Sequence, residues 1–259
     1  MIPCKDGIHE YEEIAPKTYR IDEKGLVNAY LLLGEGKALL IDSGVGVGNI
    51  LSSVQEITSL PITLALTHRH CDHGGGRNYF KECYIGRQDH NFACAFLTSK
   101  LACKVLLKAN KSDLKLTKKP YHSHQIYIGD NHVFDLGDRK IRLLSVPGHT
   151  KGSFVYIDDV NHIMFTGDEV NPYLFMQLPG STNLSTWLIG AKKILSLSKD
   201  HVAYGGHEKG LIKAEGISQI IKVVEEVLQK KPSFKGKMLD YPFDKTIFPR
   251  VIVKKANIR

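Results

Sequence analysis

The ten residues from Thr67 to Gly76, THRHCDHGGG, constrain this chain more than any other segment. They place three histidines and one aspartate within six positions, and the next three positions carry no side chain. A buried neutral imidazole has one donor and one acceptor that must both be satisfied, so three crowded rings are costly unless they share a ligand. A bound metal ion is the usual reason for such a group of histidines. The rest of the chain must then supply further metal ligands.

Three other fragments share one form, a predicted strand that ends in a glycine-flanked polar residue. They are VPGHT with His149, FTGD with Asp168 and YGGH with His207. The apolar run 62–66 leads into the histidine-rich segment in a similar way. Because binding and catalytic residues concentrate in the loops at strand ends, we expect these four fragments to contribute to one site.

The remaining pattern of short strands and interspersed helices predicts a layered α/β sandwich. We expect strands at 18–21, 28–33, 38–41, 126–128, 132–134, 139–146, 153–157, 162–166 and 201–204, and helices at 46–59, 89–110, 185–197 and 214–230. The helix at 89–110 combines an apolar side with a stripe formed by Lys100, Lys104 and Lys108. The terminal segment YPFDKTIFPRVIVKK is expected to add an edge strand.

In this order, THRHCDH, PGHTKGS, TGD and GGH resemble the metallo-β-lactamase fold superfamily of metal-dependent hydrolases, over residues from about 18 to 210. The resemblance implies a four-layer αββα sandwich of two mixed β-sheets flanked by helices. It also implies two metal ions and their ligands. By position, the first metal would be held by His68, His70 and His149, the second by Asp72, His73 and His207, and Asp168 would bridge the two.

Five imidazoles and two carboxylates suit two divalent cations, best of all zinc, with iron or manganese as alternatives because of the oxygen ligands. Such a pair activates a shared water as hydroxide and polarises a carbonyl or phosphoryl oxygen. We therefore expect a hydrolase in which Asp72 and Asp168 are catalytic, Asp72 by orienting the hydroxide or by passing its proton to the leaving group. Asp42, in LLIDSG, matches the acid that supports the metal histidines in this family.

Departures from individual subfamilies narrow the substrate class. A bridging Asp168 argues against true β-lactamases, and a histidine at position 70 argues against the flavodiiron oxygen reductases. The 52 residues after His207 are few for the glutathione-binding domain of glyoxalase II. Acyl-homoserine lactonases place a catalytic tyrosine where this chain has Asn171, and Tyr173 is our candidate substitute. The expected reaction is cleavage of an ester, a lactone or a thioester in a small molecule.

Charge and hydropathy suggest the character of that substrate. Net charge is +8, and residues 90–119 hold seven lysines and one acid. The favoured interpretation of this part of the insertion at about 86–125 is a solvated lysine face. The alternative is that it draws in an anion such as a carboxylate, a phosphate or a coenzyme A ester. The segment EVNPYLFMQLPGST is expected to be an apolar loop beside the metals, which favours an acyl substrate, unless it packs on the core or on a second subunit of a homodimer.

We expect one domain over 1–259, with the helical basic insertion at about 86–125 and a helix-plus-tail extension at about 211–259. The N-terminus MIPCKDGIHEYEE lacks the regions of a signal peptide, no apolar run reaches about 18 residues, and five cysteines form no CxxC pair. These features predict a reduced, cytoplasmic protein with no membrane segment. Two alternatives stay open. One is a phosphodiesterase or nuclease, which is disfavoured because no basic strip is interleaved with aromatic residues. The other is a metal-containing ligand-binding regulator without turnover.

Overall fold

The structure, a computed structural model, describes residues 1–90, 100–117, 122–233, 236–242 and 249–258. Its strands are β1 (Ile2–Pro3), β2 (His9–Ala15), β3 (Thr18–Glu23), β4 (Asn28–Leu33), β5 (Ala38–Ile41), β6 (Ile62–Ala65), β7 (Glu82–Gly86), β8 (His124–Ile128), β9 (Val133–Asp135), β10 (Lys140–Ser145), β11 (Phe154–Asp158), β12 (Ile163–Gly167), β13 (Tyr173–Met176), β14 (Val202–Gly205), β15 (Leu211–Ile212), β16 (Met238–Tyr241) and β17 (Arg250–Lys254). The α-helices are α1 (Ile50–Ile57), α2 (Cys71–Gly74), α3 (Lys100–Ala109), α4 (Leu184–Leu197) and α5 (Ala214–Lys230).

Two large mixed sheets form the centre of the molecule. The first has the order β1-β2-β3-β4-β5-β6-β7-β8, antiparallel from β1 to β5 and parallel from β5 to β8. The second has the order β15-β14-β12-β11-β10-β9 and is antiparallel except for the parallel pair β12 and β14. The predicted sandwich of two mixed sheets is therefore confirmed.

Strand β4 shows why the first sheet has a layer on each face. Successive side chains of a strand point to opposite faces, and β4 is apolar on both. Tyr30 and Leu32 pack in the cluster between the two sheets, where the ring centroids of Tyr30 and Phe165 lie 4.7 Å apart. Leu31 points the other way and packs with Ile50 of α1. The first sheet thus lies between α1 and the second sheet.

Helices α4 and α5 cover the outer face of the second sheet. Trp187 from α4 and Val224 from α5 are fully buried in one cluster with Val155 and Met164 of the sheet. Each large apolar side chain buried in this way contributes roughly 1.5–3 kcal/mol. The layers therefore follow the order helix, sheet, sheet, helix.

A third sheet departs from the prediction. Its order is β13-β17-β16, and β13 lies in the segment that was expected to be an apolar loop. The C-terminal strand β17 pairs in parallel with β13 and extends neither large sheet. Leu174 and Met176 are buried together with Val251 and Val253. Strand β13 has only four residues, and it is stabilised by pairing with residues 77 positions further along the chain.

The helix predictions differ from the structure mainly at their ends. The predicted helix at 46–59 begins only at Ile50, where the side chain of Asn49 accepts the backbone N–H of Ser52 as an N-cap. The predicted helix at 89–110 is seen from Lys100 to Ala109, and residues 91–99 lie outside the described ranges. Within those ranges, every helix is too short or too polar to cross a lipid bilayer.

Candidate metal centre

The seven predicted ligands all follow the carboxyl ends of strands. Residues 68–73 follow β6, and His149 follows β10. Asp168 and His207 follow β12 and β14, which are parallel neighbours and therefore end at the same edge of the second sheet. The strand ends of both sheets thus deliver these side chains to one place.

Glycine allows the close backbone approach that this arrangement needs. A Cβ on Gly75 would lie 2.0 Å from the carbonyl oxygen of Val45, so no other residue fits where the loop after α2 crosses the loop after β5. A Cβ on Gly206 would lie 2.6 Å from Cε1 of His73 and 2.7 Å from Oδ1 of Asp168. The glycines that precede and follow the ligands therefore keep space for the ligands themselves.

The structure brings the seven side chains together in two groups. In each group, one nitrogen or oxygen atom per residue lies within 4.8 Å of the corresponding atoms of the other members. The first group is His68, His70 and His149, and the second is Asp72, His73, Asp168 and His207. These are the two sets that the resemblance implied, and their role as metal ligands stays a prediction.

Asp168 lies between the two groups. Its Oδ1 is 3.3 Å from Nε2 of both His73 and His207, and its Oδ2 is 3.5 Å from Nε2 of His149. Two donor atoms that are each about 2.0–2.2 Å from a common zinc ion, at the tetrahedral angle, are roughly 3.3–3.6 Å apart. The spacing of these side chains therefore fits a shared cation on each side of the carboxylate.

The protonation pattern of the first group also fits a cation. Nδ1 of His149 lies 2.8 Å from the carbonyl oxygen of Phe175 and must be the donor, because a carbonyl only accepts. Its Nε2 therefore directs a lone pair into the group, 2.8 Å from Nδ1 of His70. Nε2 of His68 is buried and has no hydrogen-bond partner among the described residues. A buried nitrogen of this kind costs about 1–3 kcal/mol unless a ligand pairs with it.

Burial keeps the imidazoles of the first group neutral. It lowers the pKa of His68, with the neighbouring imidazoles adding to the effect. It lowers the pKa of His70 to about 3 and lowers that of His149 as well. All three rings are thus neutral at pH 7, the form in which histidine binds metal ions.

The second group has the opposite electrostatic character. Burial alone would lower the pKa of His73, but the nearby carboxylates, Asp168 foremost, outweigh burial and raise that pKa to about 10. The pKa of His207 rises for a similar reason. Burial would raise the pKa of Asp168, yet His207 and His73 hold it well below the usual range. The carboxylates of this group thus attract positive charge, which protons on the imidazoles or a cation can supply.

Asp42 supports the second group through a hydrogen bond to one of its histidines. It directly follows β5 and has a φ of +65°, a left-handed conformation that aspartate tolerates better than most residues. Its Oδ1 accepts the backbone N–H of Thr67, and its Oδ2 accepts the Thr67 hydroxyl, both at 2.8 Å. Oδ2 is also 2.8 Å from Nδ1 of His73. Asp42 therefore holds the ring of His73, one of the predicted metal histidines that the resemblance implied it would support.

Replacing Asp42 with asparagine should weaken metal binding by about 10- to 100-fold, as is typical when the hydrogen-bond partner of a metal histidine is changed. An amide tolerates the same backbone conformation but binds the His73 ring more weakly. Zinc titration in competition with a chelator measures the effect, and the exposed Asp130, changed to asparagine, is the matched control. Equal zinc affinity in both variants would rule out this role for Asp42.

Asp89 is a supporting residue that the sequence did not reveal. It is fully buried, and its Oδ2 accepts the backbone N–H of Arg69 at 3.0 Å and the hydroxyl of Thr150 at 2.8 Å. Its Oδ1 accepts the backbone N–H of Gly152 at 2.9 Å. One carboxylate thus joins the loop of His68 and His70 to the loop of His149.

Glu169 is a second such residue. Its Oε1 accepts the backbone N–H of His149 at 3.0 Å, and its own carbonyl accepts Nε1 of Trp187 at 2.8 Å. Burial raises the pKa of Glu169 to about 8. The only sequence signal for Glu169 was its position next to Asp168 in the fragment TGDE.

Tyr173, the candidate catalytic tyrosine, lies outside the lining of the cavity beside the metal groups. Its ring stacks on that of Phe175, with centroids 6.2 Å apart, and Phe175 does line the cavity. Asn171, at the position of the lactonase tyrosine, donates from Nδ2 to Oδ1 of Asp168 at 3.0 Å. Catalysis by Tyr173 therefore stays a prediction without support from this placement.

The cavity beside the two groups has a volume of about 720 Å³. One part of its wall is formed by predicted ligands, and most of the rest is apolar. The ligands are His70, Asp72, His149, Asp168 and His207, and the apolar residues are Leu26, Leu101, Ala102, Val105, Leu106, Ala109, Phe175 and Leu178. Such a mixture suits a small molecule with a reactive polar group and an apolar portion.

Comparison with known proteins agrees with this fold. Residues 22–85 match the family model described as the metallo-beta-lactamase superfamily. The metallo-beta-lactamase family protein TTHA1429 from Thermus thermophilus superposes with a TM-score of 0.62 at 19% identity, over 84% of this chain and 82% of that one. The sandwich of two mixed sheets, the strand-end histidine motif and the family match agree on one fold: the chain has the metallo-β-lactamase fold.

Two relatives in sequence are named as thioesterases. The acyl-coenzyme A thioesterase MBLAC2 of Gallus gallus is 24% identical over 187 residues, which cover 66% of this chain and 67% of the relative. The atrochrysone carboxyl ACP thioesterase nsrC of Aspergillus novofumigatus is 26% identical over 196 residues, 71% of this chain and 52% of the relative. The chain thus spans about two thirds of the first protein and about half of the second.

Proposed function

We propose that this protein is a metal-dependent hydrolase of acyl thioesters. The observation that carries the proposal is the cavity in which predicted metal ligands and a largely apolar wall face the same space. A thioester substrate has the matching parts, a polar carbonyl at the scissile bond and an apolar acyl group. The two relatives named as thioesterases support the same class.

The donor set fits two divalent cations, which the first and the second group would hold, with Asp168 as a ligand available to both. Such a pair would supply a Lewis acid for the carbonyl oxygen and a hydroxide nucleophile at neutral pH. The protein's own part is to fix these donors in a buried position. Asp42, Asp89 and Glu169 do so through hydrogen bonds to the ligand residues and to their loops.

Asp72 is suited to move the proton. The pKa of Asp72 is lowered by His73 and His207 against the effect of burial, so the carboxylate is ionised at pH 7, which is the form that a proton acceptor must have. It also lines the cavity, where the leaving group departs. In hydrolysis, oxygen bonds to the acyl carbon and the carbon–sulfur bond breaks. Asp72 then returns the proton to the departing thiolate, whose ordinary pKa near 8.5 makes this a modest demand.

The cavity argues against a phosphodiesterase or nuclease. Among the described residues that line it there is no lysine or arginine, although enzymes that act on nucleic acids use these residues to bind phosphates. The exposed Lys104 and Lys108 lie on α3 but are not part of the lining. We therefore place esters and lactones, which share the carbonyl chemistry, ahead of phosphodiesters as alternatives to thioesters.

A substrate panel tests the proposal. Zinc-, iron- and manganese-loaded protein is assayed with acyl-coenzyme A thioesters, carboxylic esters, lactones, phosphodiesters and β-lactams. We expect kcat/KM for thioesters to exceed that for every other class by at least about tenfold, which corresponds to about 1.4 kcal/mol in the transition state. Turnover of phosphodiesters alone would support the nuclease alternative. Absence of any turnover, together with saturable binding of a small ligand, would support the regulator.

A further inference from the structure

We infer that α3 forms the wall against which the acyl chain of the substrate lies, and that Leu101 and Val105 determine which chain lengths are preferred. The inference rests on the proposed thioesterase function and goes beyond it, because it assigns a binding surface and the residues that select the substrate. It is drawn from the way in which α3 divides its apolar residues between the protein interior and the cavity.

One face of α3 anchors the helix to the protein. Cys103 and Leu107, one turn apart, are buried in a cluster with Val45 and Cys71. Sγ of Cys103 lies 3.7 Å from the carbonyl oxygen of Cys71, which sits between the predicted ligands His70 and Asp72. The helix is therefore held directly against the segment that carries the metal ligands.

A second face of α3 carries large apolar side chains that are mostly exposed. Leu101 and Val105, also one turn apart, are 58% and 60% exposed, and both line the cavity. Two such side chains on an anchored helix leave apolar surface in contact with water beside a binding site, which is the usual mark of a ligand surface. Phe175 and Leu178 contribute further apolar lining from the segment after Asp168.

The position of the reactive groups identifies the occupant of this surface. The carbonyl carbon of a thioester must lie beside Asp168 and His149 to be attacked there, and its acyl chain is covalently attached to that carbon. Those two ligands and the exposed face of α3 line the same cavity. The chain that continues from a bound carbonyl therefore reaches Leu101 and Val105 without leaving the cavity.

This arrangement predicts a dependence on chain length. Each methylene buried against an apolar wall strengthens binding by up to about fourfold. We expect kcat/KM for straight-chain acyl-coenzyme A thioesters to rise by roughly two- to fourfold per methylene from acetyl upwards, until the cavity is filled. Thiol release with substrates from two to sixteen carbons measures the profile.

Variants of α3 test the assignment. The double variant Leu101→Ser/Val105→Ser should lose at least about tenfold in kcat/KM with the twelve-carbon substrate and several-fold less with acetyl-coenzyme A, because it removes apolar wall that a two-carbon chain contacts least. The variant Val105→Trp narrows the same space and should move the optimum to shorter chains. Lys104→Ser is the matched control on a neighbouring face of the helix, and metal content and circular dichroism confirm that each variant folds.

Two outcomes would overturn the inference: a flat profile in the unchanged protein, or an equal loss at every chain length in the double variant. Failure of the thioesterase proposal is recognised separately, by the absence of thioester hydrolysis. Calorimetry with the free fatty acids laurate and butyrate then tests the wall by itself. If laurate binds more tightly than butyrate and the double variant loses this difference, α3 is the acyl-binding wall. Equal binding of both acids would refute that assignment.

Discussion

Replacing Asp168 with alanine should lower kcat/KM by at least about three orders of magnitude and remove at least one metal ion per chain. Changing a residue that merely supports a ligand costs about 10- to 100-fold, and Asp168 faces both ligand groups at once. Its loss would leave His73 and His207 without the carboxylate that lies 3.3 Å from each. The variant should therefore bind metal more weakly and should also lack the carboxylate that both ions would share.

The measurement compares metal content and steady-state kinetics of Asp168→Ala with those of Asp130→Ala, an exposed aspartate remote in sequence from every predicted ligand. The control should keep full metal content and full activity. If Asp168→Ala retained both metal ions, the bridging role would be wrong even if activity fell. If it retained activity as well, hydrolysis would have to take place elsewhere.

Replacing Asp89 with alanine should reduce the free energy of unfolding by about 3–5 kcal/mol, because each buried donor left without an acceptor costs about 1–3 kcal/mol. Three donors, the backbone N–H groups of Arg69 and Gly152 and the hydroxyl of Thr150, would each lose their acceptor in a buried setting. Because these donors belong to the two loops that carry His70 and His149, zinc affinity should fall together with stability.

Urea unfolding of metal-free protein measures the first effect, and zinc titration measures the second. Asp89→Asn serves as the intermediate variant, since an amide oxygen can replace one carboxylate oxygen but not both. We expect its loss of stability to be less than half that of the alanine variant. A loss below about 1 kcal/mol for alanine would mean that water or other groups replace the carboxylate, and that Asp89 does not hold the two loops together.

The clustering of the seven predicted ligands was predictable from sequence because each carries a local signal. Each is preceded or followed closely by glycine and comes after an apolar run, and both features are visible within a few residues. Asp168 and His207 are 39 positions apart, yet the parallel neighbours β12 and β14 end at the same sheet edge and bring them together without any long-range signal being needed. Helix α5 matched its predicted bounds, because five buried residues recur at helical spacing along it.

The parts that were missed depend on contacts between distant segments. Strand β13 has only four residues and is recognisable as a strand only through its pairing with β17. Asp89 and Glu169 act through hydrogen bonds to backbone groups, and a backbone group has no sequence signature. The apolar side of the predicted helix at 89–110 was seen as one surface, whereas α3 buries Cys103 and exposes Leu101 to the cavity. Pattern alone cannot separate an interior face from a ligand-binding face.

The most direct test of the account is the number of metal ions that one chain binds. Protein freed of metal with a chelator, incubated with excess zinc and passed through a desalting column, is analysed by inductively coupled plasma mass spectrometry. Two groups of ligands predict two zinc ions per chain, falling to one or none in Asp168→Ala. Less than one ion per chain in the unchanged protein, or the same content in both proteins, would contradict the proposal that these seven side chains hold a pair of cations.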